Sequence, residues 1–161
     1  MHLEFKRLTE ACPADLIALM NHPKVREYMP LTRDNFGEED YRRFVEGKEQ
    51  LWAERGYGPW ALYADGKFVG WGGLQPEGND ADFALVIHPE AFGLGGPIAK
   101  EILRRALEEF KFPSVIVLLP AARTRVRALF RLGFVPDGKV EVGGETFLRY
   151  RLHRPDTEVN P

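Results

Sequence analysis

The chain of 161 residues holds a single cysteine, Cys12, and no long apolar stretch. A lone cysteine forms no internal bridge and no metal cluster, which fits a reducing compartment. Beside Pro13, at the start of a predicted helix, Cys12 reads as a small packing or capping residue. The longest apolar run, Val115 to Leu119, falls far short of the ~20 residues that span a bilayer. Residues Met1 to Glu10 carry Lys6, Arg7 and Glu10 and no apolar core of a signal peptide. A cytoplasmic protein with no membrane partner is expected. Excess charge of one sign is missing too: 22 Lys+Arg stand against 24 Asp+Glu, a formal net charge of −2. Such a balance does not advertise nucleic acid as a partner. His2, His22, His88 and His153 lack metal-ligand spacing, so no metal is expected. There is no internal repeat.

What is present suits a globular domain. Apolar residues make up 44% and charged residues 29% of the chain. A domain of this length buries about 70% of its unfolded surface. One domain over 1–154 and a disordered tail over 155–161 are expected.

The hydrophobic pattern predicts the elements. Leu3, Phe5 and Leu8 alternate with polar residues as a first strand over 2–9. A helix opens at Pro13 and is interrupted at Asn21-His22-Pro23, because the residue before proline avoids the α region. Tyr41, Phe44, Val45, Lys48, Leu51 and Trp52 line one face of a second helix that stops near Gly56. Strands at 60–64 and 67–74 flank the hairpin signal Asp65-Gly66, and a further strand covers 81–87. A helix is predicted over 97–110, braced by Glu101–Arg105 and Arg104–Glu108. Ser114 to Leu119 reads as a strand buried on both sides. A helix over 123–132 and a last strand over 145–153 complete the chain. This order predicts a mixed α+β layer architecture with at least one parallel crossover.

The chemistry is sought at Phe92-Gly93-Leu94-Gly95-Gly96-Pro97. Three glycines between a strand and a helix allow positive φ and let a ligand approach the backbone. The first-turn amides of the helix suit a phosphate or pyrophosphate. The turn is not a P-loop, since no Gly-Lys-Ser/Thr follows. Nor is it a dinucleotide fingerprint, since its strand is antiparallel and Pro97 replaces the third glycine.

Read as one string, residues 81–97 run Ala-Asp-Phe-Ala-Leu-Val-Ile-His-Pro-Glu-Ala-Phe-Gly-Leu-Gly-Gly-Pro. This resembles the central motif of the GNAT N-acetyltransferases, closest to the ribosomal-protein N-terminal acetyltransferase branch. Ala128-Leu129-Phe130-Arg131-Leu132-Gly133-Phe134 resembles the family's second motif. Leu19-Met20-Asn21-His22-Pro23, with Val25, Tyr28 and Pro30, resembles its opening helices, and Gly70 to Leu74 its third strand. The resemblance covers nearly the whole chain in order. It implies a mostly antiparallel mixed sheet with helices on both faces and a splayed central strand pair, 81–88 and 114–119. It implies acetyl-CoA as cosubstrate, its pantetheine arm along Val86 and Ile87 and its pyrophosphate on the amides of 93–98. Phe92, Gly93, Leu94, Gly95, Gly96 and Ile98 would then hold the cofactor. A primary amine, on a protein N-terminus or a small molecule, would attack directly, with no acyl-enzyme. Asp82 matches the family's acidic residue and is the first candidate general base, with His88 second.

Departures from the family's pattern are equally specific. Phe92 and Leu94 stand where a basic residue is usual, Pro97 where Gly or Ala is usual, Ala122 for an asparagine and Leu129 for a thiolate-protonating tyrosine. Arg123, Arg127 and Arg131 are spaced as one helical face; Arg123 is the candidate to replace the missing phosphate contact. Two alternatives follow. One is a GNAT-fold module that binds CoA or an acyl-CoA without transfer. The other is a nucleic-acid-binding protein using the arginine face, against which the charge balance argues. Trp52, Tyr57, Trp60 and Trp71 are candidates for an acceptor pocket or for the core, loops 30–40 and 136–146 for acceptor contacts, and strand 146–153 for a homodimer edge.

Overall fold

The computed structural model describes residues 1–27, 35–122 and 126–155. The expected tail beyond Pro155 and the expected positions of Tyr28, Pro30 and Arg123 lie outside the described residues. By its internal contacts the chain divides into two units, Met1–Gln75 with Phe83–Ala99, and Pro76–Asp82 with Lys100–Pro161.

In the first unit, β1 (Leu3–Lys6) pairs antiparallel with β2 (Pro59–Ala64), and β2 pairs antiparallel with the opening of β3 (Lys67–Glu77). Asp65 and Gly66 both take positive φ, 49° and 83°, the two-residue turn whose twist matches a hairpin. A bulge at Leu62/Tyr63 shifts the β2–β3 register. β1 is shorter than its alternation predicts, because Leu8–Glu10 closes into a 3₁₀ turn in which the Arg7 amide donates to the Glu10 carboxylate.

Helices α1 (Pro13–Asn21) and α2 (Pro23–Arg26) are separated at His22, as the proline requires. Exposed Cys12 precedes α1 without a side-chain capping bond. α3 (Glu38–Arg55) starts where the Gly37 amide donates to the Asp40 carboxylate, and it ends on Gly56 in the left-handed region. Leu8, Leu16, Leu19, Met20, Val25, Val45, Ala61 and Trp71 form the buried cluster beneath these helices. Ala84 and Val86 of β4 (Asp80–Ile87) pack on it. Trp60, Trp71 and Tyr57 are buried and Trp52 half-buried. Trp71 meets Phe44 and Met20, and Trp52 meets Trp60 and the Pro59 carbonyl. These contacts give the aromatics a core role.

In the second unit, β5 (Ser114–Pro120) and β6 (Val135–Val142) both pair antiparallel with β7 (Glu145–His153). Strand β6 corrects the expected loop over 136–146. Gly143 and Gly144 take φ of 59° and 82° and form its tight hairpin turn. Pro136, Asp137 and Gly138 mark a register shift inside the strand, which is why the segment looks like a loop in sequence. With β5 on one side and β6 on the other, β7 has no edge to offer a second chain, contrary to the dimer expectation. The parallel β4–β5 ladder among the described residues consists of one pair, Asp82↔Ile116. Strand order is β1-β2-β3-β4-β5-β7-β6, a mixed, largely antiparallel sheet in an α+β fold.

The 97–110 helix is also revised. α4 runs Gly95–Arg104, and Arg105–Glu109 continues it as a π turn. The buried stripe Ile98, Ile102, Ala106 is as predicted. So are the ion pairs: Arg105 and Glu101 meet at 2.8 Å, Arg104 and Glu108 at 3.6 Å. Hydrogen bonds from Arg104, working against partial burial and reinforced by Arg105, lower the Glu101 carboxyl to about 2. α5 (Arg127–Leu132) is shorter than predicted because Val126 takes non-helical φ and ψ of −119° and 9°. Arg127 and Arg131 are exposed on α5.

Candidate active site

At the end of β4 the chain enters a wound turn rather than an open glycine loop. The His88 amide donates to the Val69 carbonyl at 2.8 Å, anchoring the strand end. Pro89–Leu94 then forms a 3₁₀ segment, kinked at Ala91. Imidazole Nδ1 of His88 accepts the Glu90 amide at 3.2 Å and caps this segment. The same device recurs at His22, whose Nδ1 accepts the Lys24 amide at 3.1 Å at the start of α2. The two rings meet edge to face with centroids 5.3 Å apart. An Nδ1 that accepts a hydrogen bond is unprotonated, so in the neutral ring the proton sits on Nε2. His88 therefore serves the turn and presents an N–H donor there, not a free basic nitrogen.

The helix opens two residues earlier than the sequence suggests. Gly95 is already helical, and its amide donates to the Phe92 carbonyl. Pro97 therefore falls at the third helical position instead of the first. Its missing N–H leaves the helix ladder intact, because the opening amides of a helix have no intrahelical acceptor. Ile98 is the fourth helical residue, and its amide belongs to the ladder. Gly96, in the same first turn, is exposed.

The positive φ that the sequence allows for at these glycines is not found. Gly93, Gly95 and Gly96 are absent from the positive-φ residues of the chain. Among the described residues, a Cβ placed on Gly93 or Gly96 would meet nothing within 4 Å, and one on Gly95 only the Ile87 Cδ1 at 3.9 Å. Neither backbone conformation nor crowding within the fold calls for glycine here. Each glycine in a helical segment costs about 0.5–1 kcal/mol relative to alanine. Phe92, 50% exposed, precedes these glycines.

Just before the turn, glycine is needed for the fold itself. A Cβ on Gly70 of β3 would collide with the Val86 carbonyl oxygen and reach within 2.9 Å of Ile87 Cα. Gly70 thus brings β3 against the part of β4 that carries Val86 and Ile87. This residue appeared in the sequence as part of a strand motif, without its role.

The structure brings Val86, Ile87, His88, Phe92, Gly93, Leu94, Gly95, Gly96 and Ile98 together in the first unit. Asp82 belongs to the second. It is 9% exposed, the one buried charged residue among those described. Near it, Arg151 bonds Asp80 at 2.7 Å, Asp137 at 2.8 Å and Ser114 at 2.9 Å. Sequence reasoning missed this cluster. Its signal was Arg149 and Arg151 alternating on the strand opposite Asp137. Ala122 is exposed and Leu129 half-buried at the places where the family pattern has asparagine and tyrosine. Among the described residues no group of three or more His, Cys, Asp or Glu side chains could hold a metal ion. Nor is any described helix long and apolar enough to cross a membrane.

The fold is a mixed, largely antiparallel sheet with helices, and its fourth strand leads through a 3₁₀ segment into α4. The chain belongs to the acetyltransferase (GNAT) domain family, which it matches over residues 2–135. It is similar in structure to an acetyltransferase from Agrobacterium tumefaciens (TM-score 0.75, 16% identity, covering 94% of this chain and 90% of that one). A GNAT-family acetyltransferase from Bacillus anthracis gives 0.75 at 18% identity, covering 96% of each chain. The spermidine N-acetyltransferase of Vibrio cholerae, a structure in complex with CoA and spermine, gives 0.74 at 14% identity, covering 94% of this chain and 95% of that one. These likenesses show the fold, and no branch of the family, the ribosomal-protein one included, is distinguished among them.

Proposed function

We propose that the chain transfers an acetyl group from acetyl-CoA to a primary amine, by direct attack within a ternary complex. The carrying observation is the set of glycines at 93, 95 and 96, which the fold itself does not need. A diphosphate would lie against the Gly96 amide and the bare backbone of Gly93, at the positive end of the helix dipole. Phe92 and Leu94 flank it, and Arg123 adds a charge-assisted contact. The pantetheine arm would run along Val86 and Ile87, whose backbone also offers an amide to polarise the thioester carbonyl. The cosubstrate supplies the activated acyl group.

The chain's own task is then to neutralise the amine and release the thiolate. Asp82, buried on β4, is the base that takes the amine's proton, through a water. His88, whose Nδ1 accepts the Glu90 amide, is the second candidate. A protein α-amine, with a pKa of about 8, is neutral in roughly one copy in ten at pH 7; a lysine amine is neutral about once in a few thousand. With no tyrosine at position 129, weakly basic amines are the better acceptors. The departures at Ala122 and Leu129 favour a second reading, a module that binds CoA and transfers nothing.

One pair of measurements decides. CoA at 100 times its Kd should add about 2.7 kcal/mol of stability, a shift of several degrees in Tm. Acetyl-CoA should then release thiol with at least one amine from a panel of N-terminal peptides, free amino acids and polyamines. A shift without thiol release selects the binding module. No shift at all overturns the acetyl-CoA reading.

A further inference from the structure

Two histidines of this chain stand in the same setting, Asn21-His22-Pro23 and Ile87-His88-Pro89. In both, the proline starts a short helical segment, and the imidazole Nδ1 before it accepts the amide two residues on, Lys24 at 3.1 Å and Glu90 at 3.2 Å. The fold brings the two turns together, with the rings edge to face and their centroids 5.3 Å apart. Both caps fix the same tautomer, so each neutral ring carries its proton on Nε2. The two nitrogens of an imidazole look away from each other, and a ring that turns Nδ1 to its own backbone turns Nε2 outward. Among the described residues neither Nε2 has a hydrogen-bond partner, and no buried side-chain nitrogen or oxygen lacks one. Both N–H groups are therefore open to solvent, two donors on neighbouring rings.

Their place beside the strand says what they can meet. Ala84 and Val86 of β4 pack on the cluster beneath α1, α2 and α3. His88 continues their alternation, with its amide held by the Val69 carbonyl. Ile87 points the other way: its Cδ1 lies 3.9 Å from where a Cβ on Gly95 would stand. The opening of α4 thus lies on the Ile87 side of the strand and the imidazole pair on the Val86 side. A group held by the pair belongs to the second substrate and not to a diphosphate at the glycines. An N–H donor binds an oxygen acceptor and repels another N–H or an ammonium. We propose that the Nε2–H groups of His22 and His88 form a two-donor subsite for a carbonyl oxygen next to the reacting amine. The subsite selects α-amines of peptide type over polyamines and simple alkylamines, which carry no such oxygen. This rests on the acetyl-transfer reading, and it takes His88 as a donor rather than a base.

A pair of matched amines tests it. Alaninamide and propargylamine are similar in basicity, and only the first bears a carbonyl. The quantity to measure is the ratio of their kcat/KM values with acetyl-CoA, because intrinsic reactivity cancels when a variant's ratio is divided by that of wild type. Asparagine at either position keeps the cap, its side-chain oxygen taking the place of Nδ1, and leaves nothing at the place of Nε2. His22→Asn and His88→Asn should each lower the ratio about two- to tenfold, the scale of one lost neutral hydrogen bond, and the double variant should lower it further. The thermal shift with CoA should stay as in wild type. An unchanged ratio in active variants overturns the subsite and leaves acetyl transfer standing. A CoA shift lost in both variants assigns the pair to the cofactor and overturns the subsite as well. No thiol release by wild type with alaninamide also overturns it, while release with any other amine of the panel keeps the transfer reading. Should a variant fail to fold, the CoA-bound wild type serves. Alaninamide should move the Nε2 nitrogen resonances of His22 and His88 and leave those of exposed His2 and His153 in place; propargylamine should move none. Unmoved resonances at His22 and His88 overturn the subsite.

Discussion

Two sets of glycines, twenty-odd residues apart, serve opposite ends. On β3, Gly70 and Gly73 have no room for a side chain: a Cβ on Gly73 would stand 2.5 Å from Pro59 Cα and 2.6 Å from the Gly58 carbonyl oxygen. At the turn, Gly93 and Gly96 have nothing around the missing Cβ. The first set is required by packing that is already present. The second has open space around it among the described residues. Residue type is the same in both; only the surroundings show which glycine the packing requires.

Substitution can break this contrast at either side. The largest effect is expected at Gly70. Gly70→Ala drives a methyl into the Val86 carbonyl, backbone against backbone, and should cost about 3 kcal/mol or more of stability. A denaturant melt of the free protein measures it, and unchanged stability would show that β3 and β4 can move apart. Next comes Gly96→Leu. The free protein should melt within a degree or two of wild type, because the side chain enters open space, while the stabilisation of about 2.7 kcal/mol by CoA should vanish. A retained CoA shift would place the ligand elsewhere. Gly96→Ala is the smallest step. It should stabilise the free protein by about 0.5–1 kcal/mol, the ordinary helical preference for alanine over glycine, and weaken CoA only modestly.

Local rules carried much of this fold. Asp65-Gly66, the stop at Gly56, the break at Pro23 and the Glu101–Arg105 brace each depend on a few adjacent residues, and each is found as expected. What stayed hidden depends on distant partners. Gly95-Gly96 has poor helix propensity, and only the buried Ile98 and Ile102 behind it pull the helix start back to Gly95. β6 was masked by Pro136 and Gly138, which mark a bulge rather than a loop. Of the candidate site, the turn and its glycines were legible, but the open space around them was not, since empty space cannot be read from spacing. Neither the capping role of His88 nor its pairing with His22, sixty-six positions away, was legible.

The outer rim of the sheet has a consequence for how copies of this chain meet. β6 is the last strand in the order, so it shows one row of backbone groups to solvent. A newcomer zipping onto that row finds a prolyl nitrogen without hydrogen at 136, a jog in spacing before Lys139, and charged side chains at 139 and 141. These are the blunting devices that keep exposed strands from templating fibres. Self-association by sheet extension is thereby discouraged at this rim by the very irregularity that hid the strand.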